Sequence, residues 1–329
     1  MTEQKYETPT VVLDADPSRD FVILNLTDPQ LSDDEWGEEN GAILRRTLGV
    51  LIEEVKPDLI TVSGDISFGD QYRSAEIFCD ILEKTGIPWA PVMGNHEYQD
   101  SEIHVEKYTE IFSSYENGLF MRGSPRLGSG NYVIKVNRGG VPVHALIMLD
   151  THGFVRYTDG AGEEQICYAT LSPEQIEWYR SVCRDLSAEG VAETTAITHI
   201  PDPAFRTAYE AAALPGLDPD RERTDLDGWL GGKYWRDEYK DSFGAALEYP
   251  SASPHESGFL DALTECGSTK TVLCGHDHYN SFGVRYRGVL FVYGLKTGPG
   301  CTWDPRSSGG TVITVGADGK ASVRHHYVR

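Results

Sequence analysis

The sequence predicts an α/β fold built around a parallel sheet, and three observations carry that prediction. Strand-like and helix-like segments alternate through the first third with short connections, the pattern of a parallel βαβαβ unit. The C-terminal stretch reads as strands alone. Five predicted strands end in side chains able to bind a metal, and open α/β sheets gather ligands at the carboxyl ends of their strands.

Taken in order, residues 1–19 are polar and are expected to form a loose N-terminal arm. Residues 21–26 (FVILNL) are a short apolar run stopping at Thr27-Asp28. Helical periodicity fills 43–55 and stops before Lys56-Pro57, a helix-end signal. A strand over 59–62 leads to Ser63-Gly64-Asp65, a helix covers 71–84, and a third strand over 88–92 leads to Gly94-Asn95-His96. Segments 132–136 and 143–149 flank Asn137-Arg138-Gly139-Gly140, a turn signal for an antiparallel pair. Ser172 caps a helix with Pro173 at its first position, running to about residue 186. A strand over 194–198 ends at His199. Residues 201–256 are too long for a plain connector and read as an insertion, either a lid or a small satellite core. A short helix over 257–266 and a strand over 271–274 lead to Gly275-His276-Asp277-His278, and strands follow over 282–286, 289–293, 311–315 and 321–327. No repeat or linker interrupts the chain, so residues 1–329 are expected to form one domain.

The chain has 29 basic and 51 acidic residues, giving 29 − 51 = −22. A field of that sign repels nucleic acid and anionic membrane, so neither is expected as a partner. A phosphate substrate would need local positive charge, which bound metal ions supply. The N-terminal MTEQKYETPT carries no cationic or apolar leader, and no run approaches eighteen apolar residues, so no secretory signal and no membrane span are expected. Six scattered cysteines without a CxxC pair read as free thiols in a reducing cytoplasm.

The strand-end residues Asp28, Asp65, Asn95, His199, His276 and His278 offer carboxylate, amide and imidazole donors and no thiolate. That set suits Mn, Fe or Zn better than copper or an iron–sulfur cluster. Singly, each would be an ordinary turn or cap residue. Their conjunction at successive strand ends points to a metal site.

In order, Asp28-Pro29-Gln30, Gly64-Asp65, Gly94-Asn95-His96-Glu97, the His199 segment and Gly275-His276-Asp277-His278 resemble the motifs of the calcineurin-like metallophosphoesterases. GNHE, THIPDPAF, SGFLDAL and CGHDHYNSF resemble the single-domain, purple-acid-phosphatase-like branch, over roughly residues 20–315. The resemblance implies a four-layer αββα sandwich of two mixed sheets, with the site on loops at one edge. It implies that Asp28, Gln30, Asp65 and His278 hold one metal ion and Asp65, Asn95, His199 and His276 the other, with Asp65 bridging. Manganese or iron is favoured, with zinc or magnesium as alternatives. Hydroxide held between the ions would attack phosphorus, and His96 would assist the leaving oxygen. Glu97 would orient an imidazole from behind, and Asp277 would support its neighbours. Two departures stand out. Gln30 replaces the usual histidine, which makes the first metal site the weaker. Phe68 stands where purple acid phosphatases have tyrosine, so no purple colour is expected.

The expected activity is hydrolysis of a phosphate monoester, on a small molecule or a phosphoprotein. The alternatives are a phosphodiesterase acting on a cyclic nucleotide or phospholipid-like diester, and a catalytically weak metal-binding regulatory protein. His152 and His255 are candidate substrate contacts. As a lid, the insertion would offer Phe205, Tyr209, Trp229, Tyr234, Trp235 and Tyr239, with Arg206, Arg221, Arg223, Lys233 or Arg236. His104, His144, His325 and His326 are expected on strands or the surface. The sequence leaves the oligomeric state open.

Overall fold

The computed structural model describes residues 6–33, 37–99 and 101–328. Its strands are β1 (Thr10–Asp14), β2 (Phe21–Leu26), β3 (Leu59–Ser63), β4 (Trp89–Val92), β5 (Tyr132–Arg138), β6 (Val141–Met148), β7 (Phe154–Thr158), β8 (Glu164–Tyr168), β9 (Glu193–Ile197), β10 (Thr269–Cys274), β11 (Gly283–Tyr286), β12 (Val289–Tyr293), β13 (Gly309–Val315) and β14 (Ala321–Tyr327). Its helices are α1 (Gly37–Val55), α2 (Tyr72–Glu83), α3 (Glu102–Phe112), α4 (Pro173–Ala188), α5 (Pro203–Ala212), the short α6 (Pro219–Glu222) and α7 (Leu226–Leu230), and α8 (Phe259–Cys266).

Seven strands form one mixed sheet in the order β1-β5-β6-β9-β10-β12-β11, and five form another, β14-β13-β2-β3-β4. The predicted parallel unit is β2-β3-β4. Strand alternation explains the layering. Ile134, Leu146, Met148, Ile197, Leu273 and Val292 of the larger sheet join one core with Leu24, Leu26 and Val62 of the smaller. Their sequence neighbours Val133, Ala145, Ile147, Ala196, Val272 and Phe291 face a second core with α4, α5 and α8. Helix α1 buries Leu44, Leu48, Leu51 and Val55, one per turn, in the first core together with α2 and α3. The result is the expected four layers, helices outside two sheets. Ser172 and Gln175 complete a capping box at the start of α4.

The structure departs from expectation or adds to it in three places. Part of the supposed N-terminal arm is ordered: β1 pairs in parallel with β5, from Thr10 opposite Val133 to Asp14 opposite Asn137. Residues 1–5 of that arm lie outside the described residues. Helix α3 and the β7–β8 hairpin were not anticipated. The insertion folds into α5, α6 and α7, and Phe205, Tyr209, Trp229, Tyr234 and Trp235 are buried in the second core. All six cysteines are unpaired.

Candidate metal centre

The parallel strands deliver their side chains to one edge of the sandwich through strained turns. Asp28, Gln30, Asp65 and His276 all have positive φ, at 50°, 45°, 51° and 79°. Non-glycine residues rarely adopt that conformation, and such strain gathers at functional sites. The neighbouring glycines are there for close approach. A Cβ on Gly94 would lie 2.2 Å from Asp65 Oδ1, and one on Gly275 would lie 2.0 Å from Thr27 Oγ1.

Two donor groups share Asp65. In each of Asp65–His199–His276 and Asp28–Asp65–His278, the donor atoms lie within 4.8 Å of one another. His199 has its Nδ1 2.7 Å from the Ser63 carbonyl, an acceptor only, so Nδ1 carries the proton. Its Nε2 turns to Asp65 Oδ1 at 3.2 Å and Asn95 Oδ1 at 3.0 Å. Asp28 Oδ2 accepts from the Thr27 hydroxyl at 2.5 Å and the His276 amide at 3.1 Å. Its Oδ1 is buried without a hydrogen-bond partner, and His278 Nε2 is 3.5 Å away. An orphaned carboxylate oxygen beside two more donors is what a cation would satisfy.

The electrostatics agree. Burial disfavours a charged Asp28, yet the neighbouring imidazole of His278 and the charge of His199 hold it down at about 2. Asp65 is held lower still against burial, chiefly by His199 and His96. Burial also opposes charge on His199, but Asp65 beside it pushes the imidazole up to about 10. Burial pushes His276 down to about 4, which leaves it a neutral lone-pair donor. The ionised carboxylates are balanced by imidazole protons, and cations could take the place of those protons when the imidazoles bind as neutral ligands, so these residues fit a pair of cations.

The surrounding residues divide by what they touch. Glu97 was expected to orient an imidazole; instead its carboxylate accepts four backbone amides, from Asp65 (3.0 Å), Ile66 (2.8 Å), Ser67 (3.3 Å) and Gly94 (2.6 Å). It ties the loop carrying Asp65 to the loop carrying Asn95. Asp277 accepts from the Tyr293 hydroxyl at 2.6 Å and the Ser251 amide at 2.9 Å, fastening the end of the insertion. His96 keeps its Nδ1 2.9 Å from Gln99 Oε1 and its Nε2 3.7 Å from Asp65 Oδ2, with Phe68 edge-on at 4.7 Å. Gln30 reaches the cluster, but its Oε1 lies 2.7 Å from Lys296 Nζ. Sequence reasoning missed Lys296, and also Tyr168, whose ring stands edge-on to His276 at 4.3 Å. Lys296 follows β12 as the predicted ligands follow their strands; that placement was its one signal.

Beside the 95–98 loop opens a cavity of about 1020 Å³, lined by Tyr98, His152, Phe154, Ile166, Leu171 and His255 among others. Both candidate substrate histidines therefore share one cavity, and Phe154 and Ile166 come from the unanticipated hairpin. Several basic residues of the insertion serve structure. Arg206, Arg223 and Arg236 donate to the carbonyls of Ala252, Leu247 and Ala213, and Lys233 pairs with Asp225. His104 lies on α3, His144 on β6, and His325 and His326 on β14.

Residues 21–280 match the calcineurin-like phosphoesterase family. The chain is 26% identical over 278 residues to probable inactive purple acid phosphatase 14 of Arabidopsis thaliana, covering 77% of this chain and 60% of that protein. It is 29% identical over 249 residues to the phosphatase DCR2 of Saccharomyces cerevisiae, covering 70% of this chain and 37% of that one. The chain thus spans less than two thirds of the length of each of these relatives. Among solved structures, a dimetal phosphatase from Danio rerio superposes with a TM-score of 0.54 at 13% identity, covering 90% of this chain and 92% of that one.

Proposed function

Because the chain belongs to the calcineurin-like phosphoesterase family, we propose that it hydrolyses phosphate monoesters at a centre of two metal ions. The observation that carries this reading is the sharing of Asp65 between two donor groups, each within 4.8 Å. Asp28, Asp65 and His278 hold one ion; Asp65, Asn95, His199 and His276 hold the other. Oxygen and imidazole donors favour manganese or iron. Such a pair, when bound, makes a water acidic enough to deliver hydroxide near neutral pH and neutralises the phosphate oxygens.

The chain's own residues supply the rest. Gln99 anchors His96 by Nδ1, which leaves Nε2 beside Asp65 at 3.7 Å. From there His96 gives a proton to the departing alkoxide. The cavity with His152 and His255 takes the alcohol portion, and Phe154, Ile166 and Leu171 make part of its wall apolar. A second reading, a metal-binding protein with little chemistry, draws on the Lys296–Gln30 contact and on the "probable inactive" in a relative's name.

The test is hydrolysis of p-nitrophenyl phosphate beside its bis-ester, with manganese present. The monoester is the expected substrate, and Asp65→Ala should abolish both turnover and metal retention. Preference for the bis-ester sinks the monoester reading. A metal-loaded protein inert on a broad ester panel selects the second reading.

A further inference from the structure

We propose that Gln30 is not a metal ligand: Lys296 captures its amide oxygen, leaving a three-residue first metal site beside a fixed ammonium and making the two sites unequal. This rests on the two-metal reading above. The argument begins with lysine chemistry. An ammonium has three donors and no acceptor. Lys296 is buried, and its Nζ lies 2.9 Å from the Asp28 carbonyl and 2.7 Å from Gln30 Oε1. The amide must turn its oxygen toward Lys296, because an NH₂ there would set donor against donor.

The consequence falls on the opposite end of the amide. Gln30 Nε2 lies 3.4 Å from Asp65 Oδ2, on the side of the Asp28–Asp65–His278 group. An amide nitrogen has no free lone pair and cannot ligate a cation. Turning the amide over would strip a buried ammonium of an acceptor and leave it underpaired. Gln30 is itself fully buried, so water cannot take over.

Backbone packing fixes the pair independently. The Thr297 amide donates to the Thr27 carbonyl at 2.9 Å, and Thr27 and Lys296 form a parallel bridge. A Cβ on Gly298 would lie 2.0 Å from the Pro29 main-chain oxygen, and one on Gly300 would lie 1.9 Å from the Gln30 main-chain oxygen. The 296–300 segment thus lies backbone-to-backbone on the 28–30 loop, and the main chain that carries Lys296 is held against Gln30. Its positive charge lies against the main-chain carbonyl of Asp28, the residue whose carboxylate a first-site cation would use, and like charge weakens that cation.

Calorimetric titration of the metal-free full chain with Mn²⁺ tests this. The expected result is two sites differing by at least about tenfold in affinity, the size of effect that supporting groups have on metal sites. Lys296→Met should tighten the weaker site, and Lys296→Met with Gln30→His should tighten it further. If Gln30 were a ligand steadied by Lys296, Lys296→Met would loosen that site, and the proposal fails. Two wild-type sites equal within about threefold also overturn it. A crystal of the wild-type Mn²⁺ complex gives a reading free of variants. Gln30 Oε1 on Lys296 supports the proposal, and Oε1 at about 2.2 Å from an ion refutes it. A wild-type chain that binds no Mn²⁺ would sink the two-metal reading itself, an outcome distinct from two equal sites.

Discussion

Replacing Glu97 by glutamine tests whether the metal loops are held by one buried carboxylate. Its Oε1 accepts from Ile66 and Ser67, and its Oε2 from Asp65 and Gly94. In the variant one end becomes NH₂ and faces two backbone N–H donors. Losing two bonds to a charged acceptor costs roughly 3–6 kcal/mol, and the remaining pair weakens with loss of the charge, by about 1 kcal/mol. Against this, the variant no longer buries a charge. Burial and the nearby Asp65 raise Glu97 from its ordinary 4.5 to about 7, and a rise of that size corresponds to roughly 3 kcal/mol. The net loss is about 1–4 kcal/mol. In a chain of this length that lowers the thermal midpoint by roughly 1.5–6 °C. Because the loops move relative to each other, Mn²⁺ affinity should also fall at least about tenfold. Calorimetric unfolding and Mn²⁺ titration measure the two effects. A midpoint within about 1 °C of wild type together with unchanged metal affinity would refute the reasoning, because four buried donors cannot lose half their acceptor without consequence.

Two further outcomes are expected. His96→Ala should leave metal content unchanged and slow an alkyl phosphate by about 10²-fold or more. It should slow p-nitrophenyl phosphate much less, since that leaving group departs without a proton; equal losses on the two substrates would remove His96 as the acid. His144 is buried, with Nδ1 2.9 Å from the Gly319 carbonyl and Nε2 3.1 Å from the Thr195 hydroxyl, and burial pushes it down to about 4. Its folded value lies below its unfolded value, so the unfolded chain binds more protons between about 4 and 6.5. The stability it contributes is present above about 6.5 and is lost as pH falls toward 4, by roughly 3 kcal/mol. His144→Gln should flatten that part of the urea-unfolding profile against pH, and parallel profiles would count against the assignment.

What the sequence disclosed, it disclosed through one geometric rule. Donor residues sat directly after apolar runs, and β2, β3, β4, β9 and β10 are those runs. Where the rule and the residue type agreed, Asp28, Asp65, Asn95, His199, His276 and His278 were legible. The parts that stayed hidden lack one half of that agreement. Strand β1 is an edge strand that turns Val11 and Leu13 inward, but the exposed Val12 between them erases that alternation from the sequence. The β7–β8 hairpin exposes Phe154, Val155 and Ile166, and joins neither core. Helix α3 did carry a signal, with Val105, Tyr108 and Phe112 at helical spacing after the capping Ser101. The insertion's aromatics were visible, but which face they bury depends on Phe282 and Tyr209, far apart in sequence.

Lys296 is the instructive omission, because it obeys the strand-end rule and fails only on residue type. A search for metal donors passes over lysine, since an ammonium repels cations. Yet a buried lysine at such a position must find acceptors, and near a metal centre the acceptors are the would-be ligands. The contact with Gln30 Oε1 at 2.7 Å is that competition made visible. The substitution of glutamine for histidine at residue 30 and the lysine at 296 are then two halves of one arrangement. A histidine at 30 could spend one ring nitrogen on a cation and, with the other protonated, would have no acceptor left for the ammonium, whereas the glutamine oxygen gives the lysine a second acceptor beside the Asp28 carbonyl.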